Sequence, residues 1–336
     1  MVKIGVIGYG YWGPNLVRNF NNKNFSRVTL ISDLSEQKLL KARATHDVET
    51  TNDFNTLINS EQVDAVVIAT PVFSHFELGM AALNAGKHVL LEKPMASTSE
   101  ECRLLIAKAE EKGLCLMVDH TFLYTGAVQK LKDLVKSGEL GKLQYLDSTR
   151  INLGLLQPDI NVLWDLAPHD LSILIHLFDE DPVSVQASGI SHTSNGIENI
   201  AYMTVNYASD FIAHFNCSWT SPVKIRQMLV GGDNKMAVFN DMEPTEKIKV
   251  YDTGFEVKSD EDKRNILVDY RVGDIHIPKI EMKEALAGLA KDFCDSIIDP
   301  TRTPKSSSAL GISVVKMLEA ADTSLKEGGK AVNLFK

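Results

Sequence analysis

A glycine pattern close to the amino terminus has the spacing of a phosphate-binding turn. Residues 8–13 read Gly-Tyr-Gly-Tyr-Trp-Gly, directly after the apolar run Val2–Ile7 and before an expected helix near Asn15–Phe20. In such a turn the first glycine permits a tight bend, Gly10 lets the backbone approach a pyrophosphate, and Gly13 lets the helix pack closely on the sheet. The helix N-terminus then offers free N–H groups to the anion. The pattern therefore predicts a dinucleotide site, with a purely structural turn as the alternative.

An acid follows the second strand-like run. Asp33 lies 20 residues beyond Gly13, where a carboxylate accepts hydrogen bonds from the adenosine ribose hydroxyls and repels a 2′-phosphate. No arginine directly follows Asp33, so the sequence favours NAD over NADP. Asp33 could instead cap the next helix, although Ser35 could also fill that position.

Two short polar signals follow further strand-like runs. Thr70-Pro71 ends the run Ala65–Ala69, and Glu92-Lys93-Pro94 follows the run His88–Leu91. In open α/β sheets a ligand lies outside the carboxyl ends of the strands, so both signals are expected at one crevice. The alternative is that Glu92 and Lys93 are charges that emerge into solvent.

A third cluster lies near the middle of the chain. Asp165 and His169 are four residues apart, which places them on one face of a helix, and Pro168 between them is tolerated only in a first turn or at a kink. A metal is not expected because no third ligand stands at a recognisable spacing. The alternative for His169 is a capping or core histidine, and His176 is expected to be structural.

The elements that position these residues form two patterns. Residues 1–122 alternate near-continuous apolar runs with helical stretches, which indicates a doubly wound α/β domain with a parallel sheet. The expected strands there are Val2–Ile7, Val28–Ser32, Ala65–Ala69, His88–Leu91 and Leu114–Val118; the expected helices include Glu77–Asn84 and Ser99–Glu111.

Residues 123–336 instead predict an α+β domain with a mostly antiparallel sheet, because several segments alternate apolar and polar residues. The expected strands are Leu143–Asn152, Val183–Ile190, Ile200–Tyr207, Phe211–Trp219 and Arg226–Gly231; the expected helices are Ala127–Lys136, Leu163–Phe178, Lys283–Ile298 and Ala309–Glu327. The charge run Ser259–Arg264 is expected to be a solvated loop.

Composition excludes several function classes. The 336 residues carry 35 Lys and Arg against 44 Asp and Glu, a formal net charge of −9, which disfavours nucleic acid and anionic membranes as partners. The four cysteines, Cys102, Cys115, Cys217 and Cys294, lack metal-ligand or CxxC spacing, which indicates a reducing compartment. No signal peptide and no apolar run of about 20 residues is evident, so we expect a cytoplasmic protein.

Taken together, these residues resemble the glucose-fructose oxidoreductase, inositol dehydrogenase and rhizopine-catabolism (Gfo/Idh/MocA) family over nearly the whole chain. The resemblance is carried by the glycine pattern at 8–13, Glu-Lys-Pro at 92–94, Asp165 with His169, and segments 319–321 and 324–329. Segments 161–170 and 219–226 further resemble members that act on nucleotide-activated amino sugars, the UDP-N-acetylglucosamine 3-dehydrogenases. Segment 118–122 departs from the Asn-containing version of many relatives, which leaves the roles of His120 and Thr121 open.

The resemblance implies an NAD-dependent sugar dehydrogenase in which Lys93 lies by the nicotinamide and Asp165 and His169 complete the site. Oxidation of a secondary alcohol needs a hydride acceptor and a group that takes the hydroxyl proton, and we expect Lys93 and His169 to contact the reacting oxygen. The family's open second sheet implies a homodimer or homotetramer. Cofactor-binding candidates are Gly8, Gly10, Tyr11, Trp12, Gly13, Asp33, Thr70, Pro71, His75, Glu92 and Lys93.

A nucleotide-sugar substrate needs cationic contacts for its diphosphate. Substrate-binding candidates are Lys93, Arg150, Asn152, Trp164, Asp165, His169, Lys224 and Arg226; Arg150 and Asn152 share a strand face, and Arg226 could instead be an exposed strand charge. Three alternative functions stay open: a glycosidase that oxidises C3 transiently, an inositol or free-sugar dehydrogenase, and a dinucleotide-sensing regulator.

Overall fold

The chain divides into two compact units in a computed structural model that describes residues 1–21, 24–154, 156–256 and 269–334. The first unit comprises Met1–Thr125 and Lys283–Glu319, and the second comprises Gly126–Met282 and Ala320–Lys336. The charge run Ser259–Arg264 lies outside the described residues.

The first unit contains a six-stranded sheet in which every neighbouring pair is parallel. Its strands are β1 (Val2–Ile7), β2 (Ser26–Ser32), β3 (Glu49–Thr51), β4 (Ala65–Ile68), β5 (His88–Glu92) and β6 (Leu116–Asp119). Their order is β3-β2-β1-β4-β5-β6, the order of a dinucleotide-binding Rossmann sheet. The expected parallel α/β fold is therefore confirmed, and β3 is a strand that the apolar pattern did not predict because it is short and polar.

Helices connect these strands, as parallel neighbours require. They are α1 (Gly13–Asn21), α2 (Glu36–Thr45), α3 (Phe54–Ile58), α4 (His75–Asn84) and α5 (Ser99–Lys112). Local sequence accounts for the ends of α5. Thr98 and Glu101 form a reciprocal capping box at its start, and Gly113 ends it in the left-handed conformation with φ +63°.

The first unit also includes chain from beyond residue 282. Helix α8 (Ala285–Ile298) buries Phe293, whose ring meets the Phe20 ring edge-on at a centroid distance of 6.3 Å. The division expected at residue 122 therefore differs from the observed one, since Lys283–Glu319 packs with the first unit. The physical reason is that α8 offers an apolar face to α1, and the helical periodicity of α8 does not specify its partner.

The second unit contains a nine-stranded sheet. Its strands are β7 (Leu143–Leu153), β8 (Ser184–Ile190), β9 (Ile200–Asn206), β10 (Ile212–Ser218), β11 (Thr220–Gly232), β12 (Met236–Asn240), β13 (Ile248–Tyr251), β16 (Ile275–His276) and β17 (Val332–Asn333). Their order is β16-β13-β12-β11-β7-β10-β9-β8-β17, and every neighbouring pair is antiparallel except β10 with β7. The short strands β14 (Gly254–Glu256) and β15 (Asp269–Arg271) pair separately.

The helices of the second unit include α6 (Gly126–Lys136) and α7 (Val162–Leu177), and α9 (Ser308–Lys326) begins in the first unit and ends in the second. Alternating burial along β9 and β10 is typical of a sheet with one covered face. The expected α+β class of this part of the chain is confirmed.

Candidate functional site

The glycine turn of the first unit has the geometry that its spacing predicts. Gly8 has φ +96°, and a Cβ there would lie 2.5 Å from the Ala69 carbonyl oxygen; a Cβ on Gly13 would lie 2.5 Å from the Gly8 carbonyl oxygen. The turn itself therefore requires both glycines. A Cβ on Gly10 would meet no atom within 4 Å, so the backbone at Gly10 is open to an approaching group.

The open side of Gly10 fits a dinucleotide pyrophosphate, because close approach to the backbone and the start of α1 are both available there. Next to Gly10, Tyr11 is 86% exposed and Trp12 is 42% exposed. These two rings meet edge-on with centroids 5.6 Å apart. They are therefore available to a ligand rather than committed to the core.

Asp33 lies at the end of β2 and is linked to the glycine turn. Its Oδ2 accepts the Tyr9 backbone N–H at 2.8 Å and lies 3.4 Å from the Lys38 Nζ, and its Oδ1 accepts the Ser35 N–H at 2.9 Å. Ser35, not Asp33, is the N-cap residue of α2. Each carboxylate oxygen can accept a second hydrogen bond, so this placement is compatible with the expected ribose contact.

His75, at the start of α4, is buried and held by backbone on two sides. Its Nδ1 lies 2.9 Å from the Pro94 carbonyl oxygen and its Nε2 lies 2.8 Å from the Thr70 carbonyl oxygen. Burial lowers the pKa of His75, and a neutral imidazole donates to only one carbonyl at a time. Because the protein itself occupies both ring nitrogens, His75 supports the loops after β4 and β5 rather than offering a ring nitrogen to a cofactor.

The loop after β5 carries Lys93, which is half-buried and precedes a cis peptide bond to Pro94. The Lys93 backbone N–H donates to Oε2 of Glu92 at 3.0 Å. Glu92 is buried at the end of β5, so it is not one of the solvent charges of the alternative interpretation.

Asp119 pairs with Glu92 in the register of β5 and β6, and both side chains are buried at the carboxyl edge of the sheet. Burial, followed by the Asp119 charge, raises the pKa of Glu92 well above its ordinary value. Burial raises the pKa of Asp119 to about 6, while a hydrogen bond from Thr121 opposes that rise.

His120 follows β6 and is 1% exposed. Neither of its ring nitrogens has a hydrogen-bond partner among the described residues. Burial, with a smaller effect of the Lys93 charge, lowers the pKa of His120 to about 3. The buried imidazole is therefore neutral, and it stands within electrostatic reach of Lys93.

In the second unit, Asp165 and His169 both belong to helix α7, four residues apart and therefore on one face, as expected. Asn161 caps this helix by accepting the N–H groups of Leu163 and Trp164, and both Asp165 and His169 are half-buried. Pro168 lies inside the helix rather than in its first turn, so the Trp164 carbonyl lacks a helical donor.

Trp219 and Asp322 make hydrogen bonds with side chains at the start of α7. The Trp219 indole N–H donates to Oδ2 of Asp165 at 2.9 Å. The indole N–H of Trp164 donates to Asp322 at 2.8 Å, and the Asn161 amide donates to the other oxygen of Asp322. Asp165 is thus oriented by Trp219, and Trp164 is 7% exposed.

Arg150 differs from its expected role at a diphosphate. Its side chain is 4% exposed and makes a two-point contact with Asp170 of α7, with N–O distances of 2.8 and 2.6 Å. Arg226 faces Arg150 across β7 and β11 and lies 3.5 Å from Asp241. The buried Asp170 carboxylate therefore neutralises the Arg150 guanidinium within the protein.

The remaining candidates of the second unit are more open. Lys224 is exposed on β11, and Asn152 is half-buried near the end of β7. Lys93 belongs to the first unit, whereas Asp165 and His169 belong to the second. Across the described residues, no group of three or more His, Cys, Asp or Glu side chains has metal-site geometry.

Sequence reasoning missed Asp119, although a signal was present. Asp119 directly follows the apolar run Leu116–Val118, and the rule that active groups lie at the carboxyl ends of parallel strands applies to that strand as it does to β5. The partners Trp219, Asp170 and Asp322 carry no comparable signal because each is distant in sequence from the residue it contacts.

Comparison with known proteins gives consistent findings. Residues 2–120 match the model of the oxidoreductase family with an NAD-binding Rossmann fold, and residues 128–238 match the GFO/IDH/MocA C-terminal domain. The chain is 27% identical over 305 residues to UDP-N-acetylglucosamine 3-dehydrogenase of Acidithiobacillus ferrooxidans (strain ATCC 23270). The aligned residues cover 88% of this chain and 92% of that protein. A solved structure of a UDP-N-acetylglucosamine 3-dehydrogenase from Acidithiobacillus ferrooxidans has the same fold, with a TM-score of 0.81, 24% identity, and coverage of 97% and 98% of the two chains.

Scyllo-inositol 2-dehydrogenase (NADP(+)) of Bacillus subtilis (strain 168) is 28% identical over 225 residues, which is 61% of this chain and 60% of that protein. The chain thus spans less than two thirds of this relative's length. Both halves of the chain match models of one family, in the order that the resemblance implied. This chain belongs to the Gfo/Idh/MocA oxidoreductase family.

Proposed function

We propose that the chain is an NAD-dependent oxidoreductase that oxidises a secondary hydroxyl, at C3, of a sugar or a nucleotide-activated amino sugar. The observation that carries this proposal is the glycine turn, in which Gly8 and Gly13 are sterically required while Gly10 faces open space. A merely structural turn has no need of a glycine at position 10, whereas a turn that receives a pyrophosphate does.

The first unit would hold the cofactor by its own backbone and one carboxylate. The turn at residues 8–13 and the start of α1 would bind the pyrophosphate, and Asp33 would accept the ribose hydroxyls. When bound, NAD supplies the hydride acceptor. Support for NAD over NADP comes from the Asp33 charge and from Leu34 in the position where an arginine would serve a 2′-phosphate.

The proton of the reacting hydroxyl would be handled by Lys93 and His169. A lysine ammonium stabilises a developing alkoxide, and an imidazole accepts a proton near neutral pH. Asp165 would orient His169 or hold a substrate hydroxyl from the same helical face. The indole hydrogen bond from Trp219 supports this role because it limits the positions that the Asp165 carboxylate can adopt.

Support for a nucleotide-activated amino sugar comes from the named activity of the Acidithiobacillus relative, which aligns over most of both chains. In this chain, Lys224 and Arg226 would contact the diphosphate, with Asn152 and Trp164 nearby on the substrate side. Arg150 is left out of this set because Asp170 already pairs with its guanidinium.

An inositol or free-sugar dehydrogenase is the second candidate, favoured by the named activity of the Bacillus relative. We further propose a homodimer or homotetramer, a cytoplasmic location and a substrate-binding and oligomerisation role for the second part of the chain. Among the described residues, none of the helices is both long and apolar enough to cross a bilayer.

The test is NADH formation with UDP-sugars, dTDP-sugars, inositols and free hexoses, each measured with NAD and with NADP. A UDP-N-acetylhexosamine as the best substrate supports the proposal, and an inositol supports the second candidate. Glycoside cleavage without net NAD consumption indicates the glycosidase. Tight NAD binding with no turnover of any compound overturns the enzymatic proposal and favours a dinucleotide sensor.

Variants test the proton chemistry. Lys93→Ala and His169→Ala are each expected to lower kcat/KM by about 10²–10⁴-fold, the usual contribution of a positioned acid or base. Lys136→Ala and His176→Ala are matched controls, each on a helix of the second unit and outside the proposed site, and they are expected to retain wild-type kcat/KM. Wild-type kinetics in both site variants would contradict the assignment.

A further inference from the structure

We propose that Glu92 and Asp119 share one proton and act as positioning residues, which hold Lys93 by the single negative charge that the pair retains. The two residues end neighbouring parallel strands and face each other in the register of β5 and β6. Both carboxyl groups are buried, and Glu92 is 9% and Asp119 4% exposed. The inference rests on the proposed function only for the role of Lys93.

The paired positions and the burial of the two acids favour a shared proton. Two ionised carboxylates would repel each other strongly where water is excluded, and one proton between them removes that repulsion. With one proton, Glu92 donates to Asp119 and the pair carries one negative charge. Such a pair titrates as a unit rather than as two independent acids.

The other contacts of the pair stabilise that single charge. The Thr121 hydroxyl donates to Oδ1 of Asp119, and the Lys93 backbone N–H donates to Oε2 of Glu92. The Lys93 ammonium favours the charged form of both acids. One unit of negative charge on the pair thus faces one unit of positive charge on Lys93.

Among the described residues, three other titratable groups lie around this cluster, two histidines and one tyrosine, and all three are uncharged at neutral pH. His120 on the segment after β6 and His75 on α4 both feel the Lys93 charge and are buried as neutral imidazoles. The Tyr124 phenol feels the Asp119 charge, and it donates to Asp292 of α8 at 2.8 Å. Neither histidine therefore supplies a second cation to the pair under neutral conditions.

The charged Glu92–Asp119 pair gives the Lys93 ammonium an electrostatic partner within the first unit. A charged partner restricts where the ammonium of a long, flexible side chain resides, and misplacement of a reacting group by about 1 Å can cost 10²-fold in rate. Lowering the pH neutralises the pair and removes this partner. The pair therefore couples Lys93 placement to pH.

Infrared spectroscopy of the ligand-free, full-length chain tests the shared proton without cofactor or sugar. At neutral pH we expect the wild type to show the carbonyl band of a protonated carboxyl group, and we expect Glu92→Gln to lack it, because Glu92 is the proton donor of the pair. The new amide donates to the Asp119 carboxylate, so this variant imitates the one-proton state. Absence of the band in the wild type, or its persistence in Glu92→Gln, overturns the proposal.

The wild type alone provides a second measurement if a variant fails to fold. Because burial raises the pKa of Asp119 to about 6, the protonated-carboxyl band should grow as the pH falls through that value. This component should be absent from the titration of Asp119→Asn, which lacks the Asp119 carboxyl, if that variant folds as judged by circular dichroism. A wild-type band that does not change through this range contradicts a one-proton pair.

The positioning role is tested by the variant Glu92→Gln/Asp119→Asn, which removes the charge but keeps the size and shape of both side chains. We expect a roughly 10–100-fold lower kcat and loss of the step near pH 6 from the kcat profile. Each single variant keeps one charge, as the wild-type pair does, and should lose less kcat than the double variant. A double variant with the wild-type pH profile overturns the positioning role. Failure of the sugar panel would leave the infrared result intact, so the two proposals fail separately.

Discussion

Burial determines the protonation state of the polar side chains at the carboxyl edge of the first sheet. Burial raises the pKa of Glu92 and of Asp119 there, whereas it lowers the pKa of His75 and of His120. The same physical cause acts in opposite directions because exclusion of water disfavours the charged form, which is the deprotonated acid and the protonated imidazole. Lys93 is therefore surrounded by groups whose charge differs from what their residue types suggest.

The buried His120 should make the stability of the protein depend on pH. Its pKa is lowered to about 3 from 6.5, so between these values the unfolded chain binds the proton more readily and stability falls as the pH falls. We expect His120→Leu to remove about 2 kcal/mol of the loss in unfolding free energy between pH 7 and pH 5. Urea unfolding of the wild type and of His120→Leu at both pH values measures this change in unfolding free energy. An equal loss in the two proteins would show that this imidazole is not the cause.

Asp33 should determine the choice between the two nicotinamide cofactors. Its carboxylate repels a 2′-phosphate, and the Lys38 ammonium 3.4 Å away would become available to that phosphate if the acid were removed. We expect Asp33→Ala to shift the ratio of kcat/KM for NAD to that for NADP by about tenfold or more toward NADP. Asp47→Ala, an exposed acid elsewhere in the first unit, is the control. An unchanged ratio would place the adenosine ribose away from Asp33.

At the scale of elements, helix α7 connects the candidate site of the second unit to its sheet. One part of the helix presents Asp165 and His169, and Asp170 of the same helix receives Arg150 from β7. A buried guanidinium with a two-point carboxylate contact is specific in its geometry, so it sets the rotation of α7 on the sheet. The orientation of His169 therefore depends on an ion pair made by Asp170, the next residue in the chain.

Removing one member of this ion pair should destabilise the second unit. Arg150→Met leaves the Asp170 carboxylate buried without its partner, and we expect a loss of about 3–5 kcal/mol in unfolding free energy. The double variant Arg150→Met/Asp170→Leu should recover most of that loss. Lys291→Met, which breaks the exposed pair with Asp295, should cost less than about 1 kcal/mol. Denaturant unfolding measures all three, and a mild effect of Arg150→Met would contradict a structural role.

At the scale of the whole molecule, the first unit is discontinuous in sequence. Residues beyond 282 return to complete it, and Asp292 of α8 accepts hydrogen bonds from Tyr124, Arg302 and the Lys305 backbone. These contacts join the segment after β6 to the carboxyl-terminal helices. Folding of the first unit therefore requires chain that is synthesised after residues 126–282, the larger segment of the second unit.

The buried face of α8 should contribute to the stability of the amino-terminal sheet. Phe293→Ala removes a fully buried ring that packs on Phe20, and we expect a loss of about 3–5 kcal/mol. Hydrogen exchange should show the loss of protection in α1, far away in sequence. Ile298→Ala on the exposed end of α8, where the side chain is 66% exposed, is the control. Protection of α1 that is unchanged by Phe293→Ala would contradict the packing role of α8.

Local pattern alone determined most elements and the phosphate turn. All strands of the first sheet except β3 are apolar runs, the ends of α5 carry a capping box and a glycine, and the glycines of the 8–13 turn stand between a strand and a helix. These features depend on neighbours within a few residues, so their signals lie in short segments. The class of both sheets followed from the same periodicities.

Only the tertiary structure decided which distant side chains meet. The pairing of Asp119 with Glu92, of Arg150 with Asp170 and of α8 with α1 joins positions between 20 and more than 260 residues apart. Such contacts form only when strands align and helices pack. Many residues of the same chemical type could make each contact, and the packed fold brings only one of them close. The chemical types of the residues were therefore readable from the chain, whereas their partners and protonation states depended on the packed fold.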